Sequence, residues 1–155
     1  MDELTIRPAR EDDRLRLYEI FSAAAEEHDG IATEAPVPED QVAGWNLDGT
    51  LVALAGDEVV GQIHVEASPH GFGDLGMVIA KDYRGRGVGS ALMVAAIDAA
   101  RERGLHKIIL EVFPHNEAGI ALYRKFGFVE EGRRVRQYRR QSGEQWDAIQ
   151  MGLLL

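Results

Sequence analysis

Apolar positions along the chain follow two rhythms, short stretches of period two and longer ones of period near 3.6, which predicts strands interleaved with helices. Leu4-Thr5-Ile6-Arg7 reads as a first strand, closed by Pro8, which withholds a backbone donor. Leu17, Phe21 and Ala24 then recur at helical spacing to about Glu27, and Asp12 and Asp13 stand where a helix N-terminus favours acids. Residues 26–40 break the rhythm: six acidic residues with Gly30, Pro36 and Pro38 predict a surface loop or a frayed helix. Thr50–Ala55 and Glu58–Ala67 flank Gly56-Asp57 and predict two strands joined by a tight hairpin. A loop over 68–73, carrying Pro69 and His70, leads to a strand over 75–80. Val88, Leu92, Ala95, Ala96 and Ala99 mark one face of the next helix, which Gly104 stops. Residues 106–113 read as a buried strand, and 116–126 as a short helix begun by an asparagine cap. Residues 128–131, 135–140 and 145–155 read as closing strands, with Ser142-Gly143 as a turn. The order β-α-β-β-β-α-β-α-β-β predicts an α+β fold, a mixed sheet flanked by helices. No low-complexity linker divides it, so residues 1–155 are expected to form a single domain.

Composition narrows the classes of function. Seventeen Lys+Arg against 26 Asp+Glu leave a formal net charge of -9, which argues against broad nucleic-acid binding and suits a cationic or amine-bearing partner. The chain has no cysteine, which excludes disulfides, thiolate metal sites and a cysteine-borne acyl intermediate. No metal requirement is expected. No apolar run approaches the roughly 18 residues needed to span a bilayer, and the first seven residues lack a basic start followed by an apolar stretch, so a cytoplasmic protein without membrane contact is expected.

The segment richest in chemistry is Arg84-Gly85-Arg86-Gly87-Val88-Gly89, which connects a strand to a helix. Glycines let a backbone approach an anion, and the free N–H groups and dipole of the following helix favour negative charge. Arg84 and Arg86 are placed to add charge-assisted hydrogen bonds. A tight turn with solvated arginines is the plainer reading. A dinucleotide fingerprint fails on spelling, because Ser90 and Leu92 stand where it needs glycine. A P-loop fails too, since the chain contains no Gly-Lys followed by Ser or Thr.

What remains is Arg-x-x-Gly-x-Gly opening a helix after a strand, and here the sequence resembles the GNAT superfamily of acetyl-CoA-dependent N-acetyltransferases. Leu75-Gly76-Met77-Val78-Ile79 resembles that family's fourth strand, and the stretch Asn116-Glu117-Ala118-Gly119-Ile120-Ala121-Leu122-Tyr123-Arg124-Lys125-Phe126-Gly127-Phe128 resembles its second signature. The resemblance implies a largely antiparallel sheet whose fourth and fifth strands splay, with acetyl-CoA as cosubstrate in the gap. Met77 and Ile79, with Val78 between them, would meet the pantetheine arm, and Gly85, Arg86, Gly87, Val88, Gly89 and Ser90 would wrap the diphosphate. Asn116 would contact the cofactor arm, although it is also a helix cap. Tyr123 would protonate the departing thiolate, a task suited to a phenol, although it also reads as a packed aromatic. Glu111 matches a glutamate that serves as base in the branch acetylating protein N-termini. An exposed salt bridge is the alternative for it, and Asp74 and His64 are secondary candidates.

These implications predict direct transfer of an acetyl group to a primary amine within a ternary complex. The acceptor is an amino-acid-like or polyamine-like small molecule or a protein N-terminus; the alternative is a non-catalytic acetyl-CoA-binding or scaffold module. The acids of residues 26–40 would attract a cationic amine. Arg133, Arg134, Arg136, Arg139 and Arg140 pull the other way, toward a substrate carboxylate, a homodimer partner or RNA stacked on Tyr138 and Trp146.

Overall fold

Two short β-branched runs that each need a buried face, Thr50–Ala55 and Glu58–Ala67, form the centre from which the sheet grows. In this computed structural model residues 3–155 are described; Met1 and Asp2, the start of the expected 1–155 domain, lie outside the described residues. The elements in chain order are β1 (Leu4–Pro8), α1 (Arg14–Glu26) after a 3-10 turn (Glu11–Asp13), α2 (Glu39–Ala43), β2 (Thr50–Ala55), β3 (Glu58–Ala67) and β4 (Phe72–Ile79). There follow a 3-10 turn (Lys81–Tyr83), α3 (Val88–Glu102), β5 (Lys107–Val112), α4 (Glu117–Lys125), β6 (Val129–Arg139) and β7 (Gln145–Leu154). One seven-stranded sheet results, in the order β1-β2-β3-β4-β5-β7-β6. Among the described residues its only parallel neighbours are β4 and β5. Among the described residues no helix is long and apolar enough to cross a membrane.

The register shift between β2 and β3 at Ala53/Leu54 puts Val59 on the opposite face from Ile63 and Val65, so β3 side chains reach two separate cores. Val65 and Ile63 meet Leu92, Met93 and Ala96 of α3 on one face, with Ile108, Phe128 and Met151 closing that side. Val52 and Val59 meet Leu17 and Ile20 of α1 and Val42 of α2 on the other. Three elements differ from the sequence expectation. Helix α2 forms at the end of the stretch read as loop, because burying Val42 against α1 rewards one turn of helix there. Strand β4 starts at Phe72 instead of 75, since Gly73 lets the strand pass under Val65 and Leu105 where a Cβ would collide. The two short strands expected at 128–131 and 135–140 are one strand, β6, whose register shifts at Glu130/Gly132 and Arg134/Tyr138 absorb the polar interruption as bulges.

The feature that positions the site is the end of the β4–β5 pairing. The ladder runs through Phe72↔Lys107, Gly73↔Ile108 and Asp74↔Ile109, then stops. Strand β4 continues to Ile79 paired only with β3, and β5 continues to Val112 paired only with β7. Residues 75–79 therefore keep one open edge inside the sheet.

The entry to α1 is held by an ion pair. Arg7 donates to both carboxylate oxygens of Asp13 at 2.7 and 2.9 Å, and the Arg10 N–H donates to the same carboxylate at 2.7 Å. These donors hold the buried Asp13 carboxyl below its usual range against the opposing effect of burial. Its stabilisation is present above the ordinary carboxyl pKa and is lost as pH falls through the depressed value. Asp13→Asn is expected to lower stability at pH 7 by about 1–3 kcal/mol. The difference from wild type should shrink below about pH 4, which urea titrations at the two pH values will read.

Candidate active site

Where β4 and β5 part, a cleft of about 590 Å³ opens between β4, the turn before α3, the start of α4 and the chain after α1. Met77, Val78, Ile79, Arg84, Gly85, Gly87, Gly89, Ser90, Asn116 and Tyr123 all line it, although they come from three separate stretches of sequence. Gly87 caps α3 with φ of 86°, a left-handed conformation that a side chain would strain. Among the described residues no side chain caps this helix, so the N–H groups of Val88, Gly89 and Ser90 have no intrahelical partner at the helix end where Gly87, Gly89 and Ser90 line the cleft. Gly89 is glycine for another reason: a Cβ there would lie 3.1 Å from Leu122 of α4, so its small size lets the two helices approach.

Not every residue singled out in the glycine turn faces this cleft. Val88 is buried beneath the turn in the α3 core. The Arg86 guanidinium lies over the Tyr83 ring at 5.2 Å. Arg84 lines the cleft, but its guanidinium donates to both oxygens of Glu27 at 2.7 and 2.8 Å and to the Ile79 carbonyl at 3.0 Å. Burial opposes the Arg84 charge, and the Glu27 hydrogen bond outweighs it and raises the pKa. Arg84 therefore ties the glycine turn to the end of α1. A cation with no counterpart in the sequence reading sits nearby, since Lys125 Nζ lies 3.3 Å from Ser90 Oγ at the free end of α3. Only the packing of α4 against α3 brings the two together.

Asn116 caps α4, its side-chain oxygen accepting from the Gly119 N–H at 3.0 Å, and it also lines the cleft. Tyr123, 9% exposed, packs against Phe128 with ring centroids 5.8 Å apart. Its hydroxyl has no hydrogen-bond partner among the described residues, and desolvation raises its pKa. Tyr123 also lines a second, smaller cavity of about 190 Å³ together with Glu111, Tyr138 and Met77. Glu111 does not line the larger cleft. Its Oε1 accepts from the Tyr138 hydroxyl at 2.9 Å, and its Oε2 lies 3.3 Å from Arg134 Nε. Burial first, and the Glu111 hydrogen bond second, raise the Tyr138 pKa.

Asp74, at the last β4–β5 pair, faces the same side of the sheet, and desolvation followed by the Glu111 charge pushes its carboxyl up while His64 pulls it down. His64 itself is engaged on both nitrogens, with Thr50 Oγ1 at 2.6 Å and Glu66 Oε2 at 2.7 Å.

Members of both charge clusters of the sequence find partners within the molecule. Glu27 meets Arg84, Asp29 meets His115 at 3.0 Å, and Glu34 accepts from the Gln141 N–H at 2.9 Å and lies 3.5 Å from Arg140 Nε. Of the arginines, Arg133 meets Asp147, Arg134 meets Glu111, and Arg136 donates from Nε to Gln145. Arg140 is buried over Trp146 at 4.3 Å and donates to the carbonyls of Ile31 and Ala32. This bracing holds residues 27–35 against both cavities. Arg140→Ala, which leaves the carbonyls of Ile31 and Ala32 without their donor, is expected to cost about 1–3 kcal/mol. Denaturant unfolding will measure the loss, and limited proteolysis should cut first within residues 27–35.

Comparison with known proteins agrees with this architecture. Residues 14–128 match the model of the Acetyltransferase (GNAT) family, and the chain belongs to that family. It is 36% identical over 118 residues to a mycothiol acetyltransferase of Paenarthrobacter aurescens, covering 70% of this chain and 36% of that protein. It is 32% identical over 94 residues to N-alpha-acetyltransferase 30 of Schizosaccharomyces pombe, covering 57% of this chain and 63% of that one. The matched stretch thus spans between about a third and two thirds of these relatives. The crystal structure of a ribosomal-protein-alanine N-acetyltransferase from Brucella melitensis superposes with a TM-score of 0.90 at 31% identity, covering 97% of this chain and 99% of that one.

Proposed function

We propose that residues 1–155 act as one catalytic domain that transfers the acetyl group of acetyl-CoA directly to a primary amine, with the α-amino group of a protein or peptide N-terminus as acceptor. The observation that carries the reading is Tyr123: a buried phenol with no hydrogen-bond partner among the described residues, shared by the long cleft and by the cavity holding Glu111. The N-terminal acetyltransferases among the similar proteins support the choice of acceptor.

Each residue has a task in this reading. The open edge of β4 at Met77, Val78 and Ile79 pairs with the amide groups of the pantetheine arm, as a strand would. The N–H groups at Gly87, Val88, Gly89 and Ser90 hold the diphosphate, and Lys125 supplies the nearest mobile charge, with Gly85 and Arg86 shaping the turn. Asn116 keeps its capping bond and offers its amide N–H to the same arm. As the acceptor nitrogen bonds to the carbonyl carbon, the C–S bond breaks and Tyr123 gives its proton to the thiolate. The proton lost by the amine passes to Glu111. That carboxylate has two partners and about four acceptor positions, so it retains room for a water or an ammonium group.

Tyr123→Phe is expected to lower kcat roughly 10²-fold while leaving acetyl-CoA affinity unchanged. Wild-type turnover at neutral pH would overturn the assignment. Since burial raises the Tyr123 pKa, the acid form persists as pH rises past the value near 10 where an ordinary phenol ionises, and no alkaline loss of kcat should come from it below that value. Gly87→Glu places a carboxylate at the free end of α3 and should abolish acetyl-CoA binding in a calorimetric titration. A thermal shift with acetyl-CoA but no thiol release across amines and N-terminal peptides would mark a binding module instead of an enzyme.

A further inference from the structure

A third cavity, of about 500 Å³, lies on the α1 side of the sheet and meets the reaction cleft at Met77, Val78 and Ile31. It meets the Glu111 cavity at Gly76, Met77, Ile31 and Ala32, so a group reaching Tyr123 and Glu111 can extend into it. Phe21 and Trp45, in edge-to-face contact at 5.0 Å, form its apolar wall. Its floor is the face of β3. There Gln62 is 5% exposed, and among the described residues its side-chain amide has no hydrogen-bond partner.

The Gln62 amide is not sealed from solvent, so a ligand that displaces the water reaching it leaves the amide unpaired, at a cost of about 1–3 kcal/mol, unless it hydrogen-bonds in that water's place. The polar neighbours do not offer relief: Thr50 and His64 are bonded to each other, and His64 to Glu66. No lysine or arginine lines the cavity, while Glu66 does. Thr33 and Asn46 also line the chamber but are not buried, so it provides apolar contact, Gln62 as the one buried donor-acceptor group without a protein partner among the described residues, and no lysine or arginine for an anion.

We propose that this cavity receives the side chain of the acceptor's first residue, and that Gln62 selects an uncharged side chain whose tip can hydrogen-bond, against both apolar and carboxylate tips. The inference rests on the acetyl-transfer reading above and names the acceptor class within it. Gln62 is a specificity-determining residue, remote from the reacting atoms. A site built around a buried polar group rejects an analogue that leaves that group unpaired more strongly than an apolar pocket rejects a lost methylene.

The test uses peptides identical except for first residues of matched shape, Thr against Val and Asn against Leu and Asp. CoA release is followed at saturating acetyl-CoA, and binding is followed by calorimetry on protein saturated with CoA. Wild type is expected to prefer Thr over Val, and Asn over Leu and Asp, by at least about tenfold in kcat/KM. In Gln62→Leu the Thr/Val and Asn/Leu preferences should collapse or invert, with the KM for acetyl-CoA unchanged; Gln62→Met, which keeps the side chain's length, should do the same. Equal ratios in wild type and both variants, with turnover intact, would overturn the pocket and leave acetyl transfer standing. The selective binding pattern without turnover would overturn acetyl transfer and leave the pocket standing.

Discussion

The parting of β4 from β5 after Asp74 and Ile109 is the constraint on which the rest of the structure depends. Backbone donors and acceptors that fall open inside a sheet are costly unless something pairs with them. Each strand keeps its other neighbour, β3 for β4 and β7 for β5, so the sheet stays continuous around the gap. The wedge between them is filled from one side by α3 and α4, which place the helix end of the glycine turn and Tyr123 at opposite parts of one cleft. The same parting lets Glu111 and Asp74, on neighbouring strands, approach closely enough for the charge of one to raise the pKa of the other.

A second layer of order comes from the stretch after α1. Loops with this many acids ordinarily stay solvated and repel themselves. Here Glu27, Asp29 and Glu34 each reach a nitrogen-bearing side chain from a different segment: the glycine turn, the segment before α4, and the closing hairpin. Residues that would otherwise advertise charge to a ligand instead hold residues 27–35 against the cavities. The net charge of -9 therefore says less about the ligand than about the bracing. It also raises the importance of Lys125, whose ammonium donates to Ser90 Oγ at the N-terminal end of α3 and has no carboxylate partner among the described residues.

Much of the fold was legible because it rests on local signals. The hairpin at Gly56-Asp57, the face of α3 set by Val88, Leu92 and Ala96, and the Asn116 cap all depend on residues within a few positions of one another. The glycine turn and the stretch from Asn116 to Phe128 were legible for the same reason, and with them the family. Strand β6 was harder. Its run of arginines and glutamates has no period that marks a strand, and it pairs across two bulges only because β7 is there to receive it. Helix α2 escaped likewise, since its five residues are held by tertiary burial of Val42.

The sequence by itself determined the order of the elements apart from α2 and the continuity of β6, the glycine geometry before α3 and the candidacy of Tyr123, Asn116 and Glu111, since each follows from a short stretch of chain. Only the tertiary structure decided which charges remain free. Arg84 and Arg140, conspicuous in the sequence, are consumed by Glu27 and by the carbonyls of Ile31 and Ala32, whereas the side chain of Gln62, inconspicuous on its strand, lies beside a cavity with no partner among the described residues. The physical reason is that a polar group's availability depends on what long-range packing sets within about 3 Å of it, and no local spacing encodes that distance.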